Sequence, residues 1–235
     1  SAVKNVVPMI SAVAILGPTA SGKSGLAEFL GSECGGELIN SDASAFYREL
    51  SVGVTKPSPE DRRRNVYHLL DTTSLERGCD LMDFLSAANR VIDDIHLRGR
   101  LPIVVGGSGL YARALLDGYR PPQIEVPEET RQAARELPLE DALEQLLHLD
   151  PVNYNRIDRQ NPRRVTRALE LALTVGGAVP SPRVEPRADL RLLRLYLLPT
   201  KKVLDQRIAR RTREMWDGWL EEVDHLEKKG LAGWL

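Results

Sequence analysis

Eight consecutive residues, Gly17-Pro18-Thr19-Ala20-Ser21-Gly22-Lys23-Ser24, satisfy the pattern GxxxxGK[ST]. These residue types suit one task. The glycines let the backbone curl so that its N–H groups converge on phosphate oxygens. The N-terminus of a following helix adds a favourable dipole. Lys23 brings positive charge to the terminal phosphates, and the Ser24 hydroxyl can ligate Mg2+. The motif asks for a di- or triphosphate; it does not say which one, nor what is transferred. The second chemical group is Asp42, which directly follows Glu37-Leu-Ile-Asn40-Ser41. In a parallel sheet this position lies beside the phosphate loop. There the carboxylate could act as a general base or hold Mg2+ through water; equally, it could serve as a helix N-cap. Position alone leaves both roles open.

The elements that must position these groups are legible around them. Val6–Leu16 is a short apolar run ending at Gly17, as a buried strand does. Gly22–Leu30 carries a helix pattern, and Glu37–Asn40 reads as a second strand. Asp83–Arg98 repeats Phe84, Ala87, Val91 and Ile95 at helical spacing, and Leu101–Val105 follows as another buried strand. Strand, helix, strand, helix, strand predicts a parallel sheet with crossover helices and a site at the C-terminal strand ends. The pattern changes near Gly118. Tyr119–Pro127 holds three prolines and reads as a linker; Glu128–Ala172 is helical and rich in Arg, Glu and Leu. Pro180–Pro186 holds three more prolines and reads as a second boundary. Leu190–Leu198 reads as a late strand and Val203–Glu227 as a long helix containing Gly218. The predicted fold is therefore α/β, a P-loop core with a parallel sheet and an inserted helical lobe. Its core is residues 1–118 and 187–235, and its lobe 119–186.

Composition excludes several classes. The chain has 235 residues, with Lys+Arg 32 against Asp+Glu 33 and a formal net charge of −1. A polybasic protein is excluded, but a basic face can hide in a neutral total. The two cysteines, Cys34 and Cys79, form no CxxC or zinc spacing and no disulfide framework. No apolar stretch is long enough to span a bilayer, and no signal-peptide pattern opens the chain. The expectation is a cytoplasmic protein with no membrane partner, acting as a monomer.

Further motifs carry a resemblance. They are Asp42-Ala-Ser-Ala-Phe-Tyr47, Gly53-Val-Thr-Lys-Pro57, Tyr67-His-Leu-Leu-Asp71, Pro102-Ile-Val-Val-Gly-Gly-Ser-Gly-Leu-Tyr111 and Asp158-Arg-Gln-Asn-Pro-Arg-Arg-Val-Thr-Arg-Ala-Leu-Glu170. Together with GPTASGKS, in this order and near this spacing from about residue 10 to residue 227, the chain resembles the tRNA dimethylallyltransferase (tRNA isopentenyltransferase) family. A generic phosphate-loop kinase would share only the first motif.

The resemblance implies transfer of a dimethylallyl group from dimethylallyl diphosphate to N6 of the adenosine 3′-adjacent to the tRNA anticodon. It implies that Gly17 to Ser24 hold the diphosphate with Mg2+, Ser24 being the metal ligand, and that Arg207 lies near the diphosphate. It implies catalytic roles for Asp42 (as general base), Lys23, Ser108 and Arg211. It implies tRNA contact by Asp42, Ala43, Ser44, Ala45, Ser108, Arg131, Gln160, Asn161, Pro162, Arg163 and Arg164, with the anticodon loop as partner. Ala43 and Ala45 stand where the family commonly has Ser and Gln, and Ser108 where it usually has Thr. The family's C-terminal basic segment is not in the sequence, so further tRNA-binding surface is expected beyond Leu235.

The remaining candidates stay open on residues alone. Arg156, Arg159, Arg163, Arg164 and Arg167 form a basic group that suits an RNA backbone or a solvated helix face. In the group Arg207, Arg210, Arg211 and Arg213, helical geometry puts the first three on one side and Arg213 on another. His68, His96, His148 and His225 do not cluster and read as packing or surface residues. Tyr47 and Tyr111 suit base stacking or the core equally. Trp216, Trp219 and Trp234 read as packing residues. The competing function is a small-metabolite or nucleotide kinase using ATP, with Asp42 acting on an acceptor hydroxyl.

Overall fold

The computed structural model describes residues 10–54, 56–107, 109–231 and 233. In chain order its elements are β1 (Ala12–Leu16), α1 (Lys23–Cys34), β2 (Gly36–Asn40), a 3-10 turn (Ala43–Phe46), α2 (Pro59–Arg64), β3 (Tyr67–His68), α3 (Leu81–Leu97), β4 (Leu101–Gly106), α4 (Gly109–Leu116), β5 (Tyr119–Arg120), α5 (Glu128–Glu136), α6 (Leu139–Leu149), α7 (Pro151–Arg156), α8 (Pro162–Val175), β6 (Arg183–Val184), β7 (Leu192–Tyr196) and α9 (Lys201–Lys228). They form two compact units, Ser1–Gly118 with Pro186–Leu235, and Tyr119–Glu185.

The first unit is built on a five-stranded sheet in the order β3-β2-β4-β1-β7, parallel throughout. Val13 sits opposite Ile103 on one side and Leu193 on the other, and Leu38 sits between Ile103 and Tyr67. The inner strands are buried on both faces, so they read as continuous apolar runs rather than alternating ones. Val13, Ile15, Leu38 and Ile103 pack with Ala27 of α1. Because all strands run the same way, the phosphate loop after β1, Asp42 after β2 and Gly106-Gly107 after β4 leave the sheet at one edge, and Leu197 after β7 joins them.

Boundaries moved where side-chain patterning is blunt. The predicted first strand begins at Val6, but residues 1–9 lie outside the described residues and β1 starts at Ala12. Helix α1 runs on to Cys34, where Gly35 at φ 61° ends it. In α3 the buried stripe is Phe84, Leu85, Ala88, Ile92 and Ile95, not Ala87 and Val91. Phe84 and Ile95 are buried as the spacing predicts; Leu85, Ala88 and Ile92 take the places of Ala87 and Val91 because they are as apolar as the residues beside them. Gly218 does not interrupt α9, which is continuous over 28 residues.

The second unit packs α5, α6, α7 and α8 around Ala134, Ala142, Leu146, Val165, Leu169 and Ala172. Proline starts two of these helices, at Pro151 and Pro162, where its missing N–H costs nothing. Asp150 is fully buried; its carboxylate accepts from Asn153 N–H at 3.0 Å and from Val179 N–H at 2.9 Å. The expected linker Tyr119–Pro127 and boundary Pro180–Pro186 are mostly irregular, but each contributes two residues to a strand. Tyr119 pairs with Val184 and Arg120 with Arg183 as a two-stranded antiparallel ribbon. Such a pairing joins residues more than sixty positions apart, and neither stretch shows strand patterning by itself.

Candidate functional site

A cleft of about 690 Å3 opens at the C-terminal edge of the sheet in the first unit. Thr19, Ala20, Ser21, Gly22, Lys23 and Ser24 line it, as do Asn40, Asp42, Lys56, Arg207, Arg210 and Arg211. The loop's shape has identifiable causes. Gly17 has φ 153°, and a Cβ there would lie 2.5 Å from the carbonyl oxygen of Leu197, so only glycine lets β7's exit pass this closely. Ala20 holds φ 61°, a left-handed conformation that non-glycine residues adopt at a cost. Gly106 sits against Ser41, where a Cβ would lie 2.9 Å from the Ser41 carbonyl carbon. Gly17 and Pro18 face a second cavity of about 320 Å3, which Gly106, Gly107, Arg194 and Tyr196 also line.

Cations converge on the loop. Lys23 Nζ donates to the Pro18 carbonyl at 2.7 Å, and Arg207 donates to the carbonyls of Ala20 and Ser21, each at 3.3 Å. Burial pushes the Lys23 ammonium below its ordinary value; the nearby Asp42 carboxylate opposes this and the Arg211 guanidinium adds to it. Asp42 and Arg211 both line the cleft with Lys23. Arg210 pairs with Glu214 at 3.7 Å, and both line the cleft. Arg213 is absent from the lining and donates to Ala209 O, as the helical spacing predicts.

The structure shows the cap role of Asp42 and places the residue at the cleft. It is the N-cap of the 3-10 turn, accepting from Ser44 N–H at 3.2 Å, and it is exposed to the cleft. Of the three residues after it, Ser44 and Ala45 line the cleft; Ala45 is 5% exposed and its carbonyl accepts from Asp71 N–H. Ser108 lies outside the described residues. Arg131 belongs to the second unit, paired with Glu128 at 3.2 Å. Gln160, Asn161, Pro162, Arg163 and Arg164 also lie there. Asn161 is the N-cap of α8 and Pro162 its first residue, while Arg164 pairs with Asp158 at 3.5 Å. Arg156, Arg159, Arg163 and Arg164 are exposed, and the Arg159 guanidinium sits 4.9 Å over the Tyr154 ring. Arg167 instead binds the buried Glu170.

The structure also shows what the sequence motifs are for. Lys56, almost wholly buried, donates to Asp71 Oδ1 at 2.6 Å and to the Tyr47 carbonyl. Arg62 binds the other oxygen of Asp71 at 2.6 Å. Burial alone would raise the Asp71 carboxyl, but its hydrogen bonds from Lys56 and Arg62 outweigh it and hold it below the usual carboxylate range. Two motifs that looked separate are one ion-paired brace. His68 pairs with the buried Glu37 at 2.7 Å, which Arg98 also binds. Tyr111 belongs to the core: it packs on Phe46 and Phe84, donates to Cys79 O, and burial pushes its hydroxyl up to about 12.

Trp216 and Trp219 pack at the surface, against each other, rather than in the core. They are 49% and 45% exposed and meet edge to face at 6.0 Å, because α9 fully buries only Leu226. Trp234 lies outside the described residues. Among the described residues no group of His, Cys, Asp and Glu is arranged to hold a metal, and no helix is long and apolar enough to cross a membrane.

Residues 45–234 match the model of the IPP transferase family. The chain is 38% identical over 225 residues to the tRNA dimethylallyltransferase of Kocuria rhizophila, covering 94% of this chain and 71% of that protein. It is 40% identical over 233 residues to that of Anaeromyxobacter dehalogenans strain 2CP-C, covering 94% and 74%. The crystal structure of the full-length tRNA isopentenylpyrophosphate transferase from Bacillus halodurans superposes with a TM-score of 0.63 at 30% identity, covering 95% of this chain and 72% of that one.

Proposed function

The chain belongs to the IPP transferase family, and from that premise we propose that it transfers a dimethylallyl group from dimethylallyl diphosphate to N6 of the adenosine 3′-adjacent to the anticodon in tRNA, releasing diphosphate. One observation carries the reading: a single cleft joins the phosphate loop, the Asp42 carboxylate and three arginines.

The chemistry divides between these groups. The exocyclic amine of adenine is a weak nucleophile because its lone pair is delocalised into the ring. Asp42 accepts the N6 proton as the new C–N bond forms. The allylic C–O bond breaks, and its electron pair leaves with the diphosphate. Loop N–H groups, Lys23, Arg207 and Arg211 stabilise that negative charge where it accumulates. Mg2+ suits the donor set: the exposed Ser24 hydroxyl is a hard oxygen at the loop's end, and a small hard cation completes its shell with phosphate oxygens and water rather than a protein cage. When bound, it would neutralise part of the diphosphate charge. Adenine must leave its stack to present N6, which a single-stranded loop permits. Arg131 and the exposed arginines at 156, 159, 163 and 164 suit the RNA backbone.

The test is incubation of the protein with unmodified tRNA and labelled dimethylallyl diphosphate, and separately with labelled ATP. Label entering RNA from the first and not the second is the expected result. Transfer of the γ-phosphate to a small acceptor, with none of the dimethylallyl label in RNA, would replace this reading with a kinase.

A further inference from the structure

Glu222 lies on α9, eleven residues beyond Arg211, or about 16 Å along the helix. Its carboxylate is the meeting point of a turn from a distant part of the chain. Oε1 accepts from Ser51 N–H at 2.6 Å, from the Ser51 hydroxyl at 2.8 Å and from Val52 N–H at 3.0 Å; Oε2 accepts from Gly53 N–H at 3.0 Å. Three consecutive backbone donors and a hydroxyl therefore close on one side chain. Burial would raise the Glu222 carboxyl, but those N–H groups and the Ser51 hydroxyl outweigh it and hold it below its ordinary value.

The rest of the seam fits the same contact. A Cβ on Gly218 would stand 3.4 Å from Val52 Cγ1, and one on Gly53 would stand 3.2 Å from Trp219 Nε1. Small residues on both sides let the turn lie flat on the helix. This also explains the half-exposed Trp219, whose indole edge covers Gly53 rather than entering the core.

Each partner carries a different wall of the cleft. Gly53, Val54, Lys56 and Pro57 line it from the turn; Arg207, Arg210 and Arg211 line it from the helix. The Lys56–Asp71–Arg62 brace fixes the far end of the turn; at its near end Leu50 packs in the cluster around Leu226 of α9, and the Glu222 seam supplies the hydrogen bonds that hold residues 51–53 to that helix. We propose that Glu222 is a positioning residue: by latching residues 51–53 to α9, it sets the spacing between the arginines and the opposite wall of the cleft, and so the fit of the diphosphate. As a reaction role this rests on the transfer reading above.

The variant Glu222→Gln keeps the shape and one acceptor oxygen, but sets an NH2 group against backbone donors. Amide exchange at Val52 and Gly53 should accelerate about tenfold. The KM for dimethylallyl diphosphate should rise about fivefold while kcat stays within about twofold. A residue that merely stabilises the fold would reduce the amount of active enzyme and leave KM alone. Affinity for inorganic diphosphate with Mg2+ should fall in parallel with the KM change. Unchanged exchange, or faster exchange with unchanged KM and affinity, overturns the proposal. Should Glu222→Gln fail to fold, Ser51→Ala removes a single donor and must show the same split at about twofold; an unchanged KM there overturns it too. If the wild type transfers no dimethylallyl label but its diphosphate affinity still depends on Glu222, the reaction reading fails and the latch stands. If label is transferred and neither exchange nor KM responds, the latch fails and the reaction stands.

Discussion

Asn40 grips Asp42 by both polar groups of its backbone. The Asn40 carboxamide oxygen accepts from Asp42 N–H at 3.0 Å, and its Nδ2 donates to the Asp42 carbonyl at 3.0 Å. The same Nδ2 also donates to Leu69 O at 3.0 Å, in a segment where Leu69 and Asp71 both hold left-handed φ, at 61° and 56°. The last residue of β2 thus fixes the following carboxylate and ties it to the strained turn after β3.

Replacing Asn40 with Ala should therefore act on chemistry more than on binding. A carboxylate displaced by a fraction of an ångström loses its line to the acceptor amine, and kcat should fall about tenfold to a hundredfold with KM little changed. Stability should drop by about 1–3 kcal/mol, because the Asp42 N–H and the Leu69 carbonyl lose their Asn40 partner. Steady-state kinetics beside urea unfolding would check both; a fall confined to stability would remove Asn40 from the positioning of Asp42.

Different substitutions separate the observed cap of Asp42 from its proposed role as general base. Asn retains a carbonyl oxygen that can accept from Ser44 N–H, so Asp42→Asn should fold with near-native stability. It cannot take a proton, so kcat should fall at least about a hundredfold. Ala removes the cap as well and should add about 1 kcal/mol of destabilisation. Both variants should bind tRNA much as the wild type does, measurable by filter retention. Wild-type turnover in Asp42→Asn would dismiss the general-base role.

The Lys56–Asp71 pair should matter to stability before activity. Lys56→Met strands a carboxylate that only Arg62 still neutralises, and the expected loss is about 3 kcal/mol. Adding Asp71→Asn should restore part of it, since Asn tolerates the left-handed φ at this position and carries no charge to strand. Denaturant midpoints of the single and double variants give the answer. Strictly additive losses would show that the two residues do not act as one unit.

Acid should loosen the Glu222 seam with a defined sign. Its carboxyl titrates below the ordinary 4.5, so the folded state binds its proton less readily than the unfolded one. The stabilisation is complete above that ordinary value and is lost as pH falls through the lower folded value. Asp71 and Asp150 behave the same way below their ordinary 3.8. Urea midpoints should hold steady near neutrality and decline below about pH 4.5. The decline should be shallower in Glu222→Gln, which has no proton to take up there. Parallel acid limbs in the two proteins would contradict this.

Much of the machinery was legible in the sequence because it is local. The phosphate loop, the strand before it and the helix after it are contiguous, and glycine spacing reports a backbone shape directly. Asp42 was legible for the same reason, two residues beyond a strand end. The arginines of α9 were legible as a face, since the period of 3.6 assigns Arg207, Arg210 and Arg211 to one side and Arg213 to another. Lys56 and Asp71 each stood in a visible motif, yet nothing along the chain said that they bind one another. Glu222 had no signal at all: a glutamate on a polar helix is the commonest of surface residues, and its meaning lies in three N–H groups some 170 positions away.

The sequence by itself thus determined the family, the phosphate-loop motif, and the strands and helices whose patterns repeat at short range. The tertiary structure decided which motif braces which, which tyrosine enters the core, and how the turn at 51–53 meets α9. The reason is physical. Local patterns record each residue's burial and backbone preference, whereas ion pairs and hydrogen bonds between distant segments exist only once the parallel sheet has brought its strand ends to one edge.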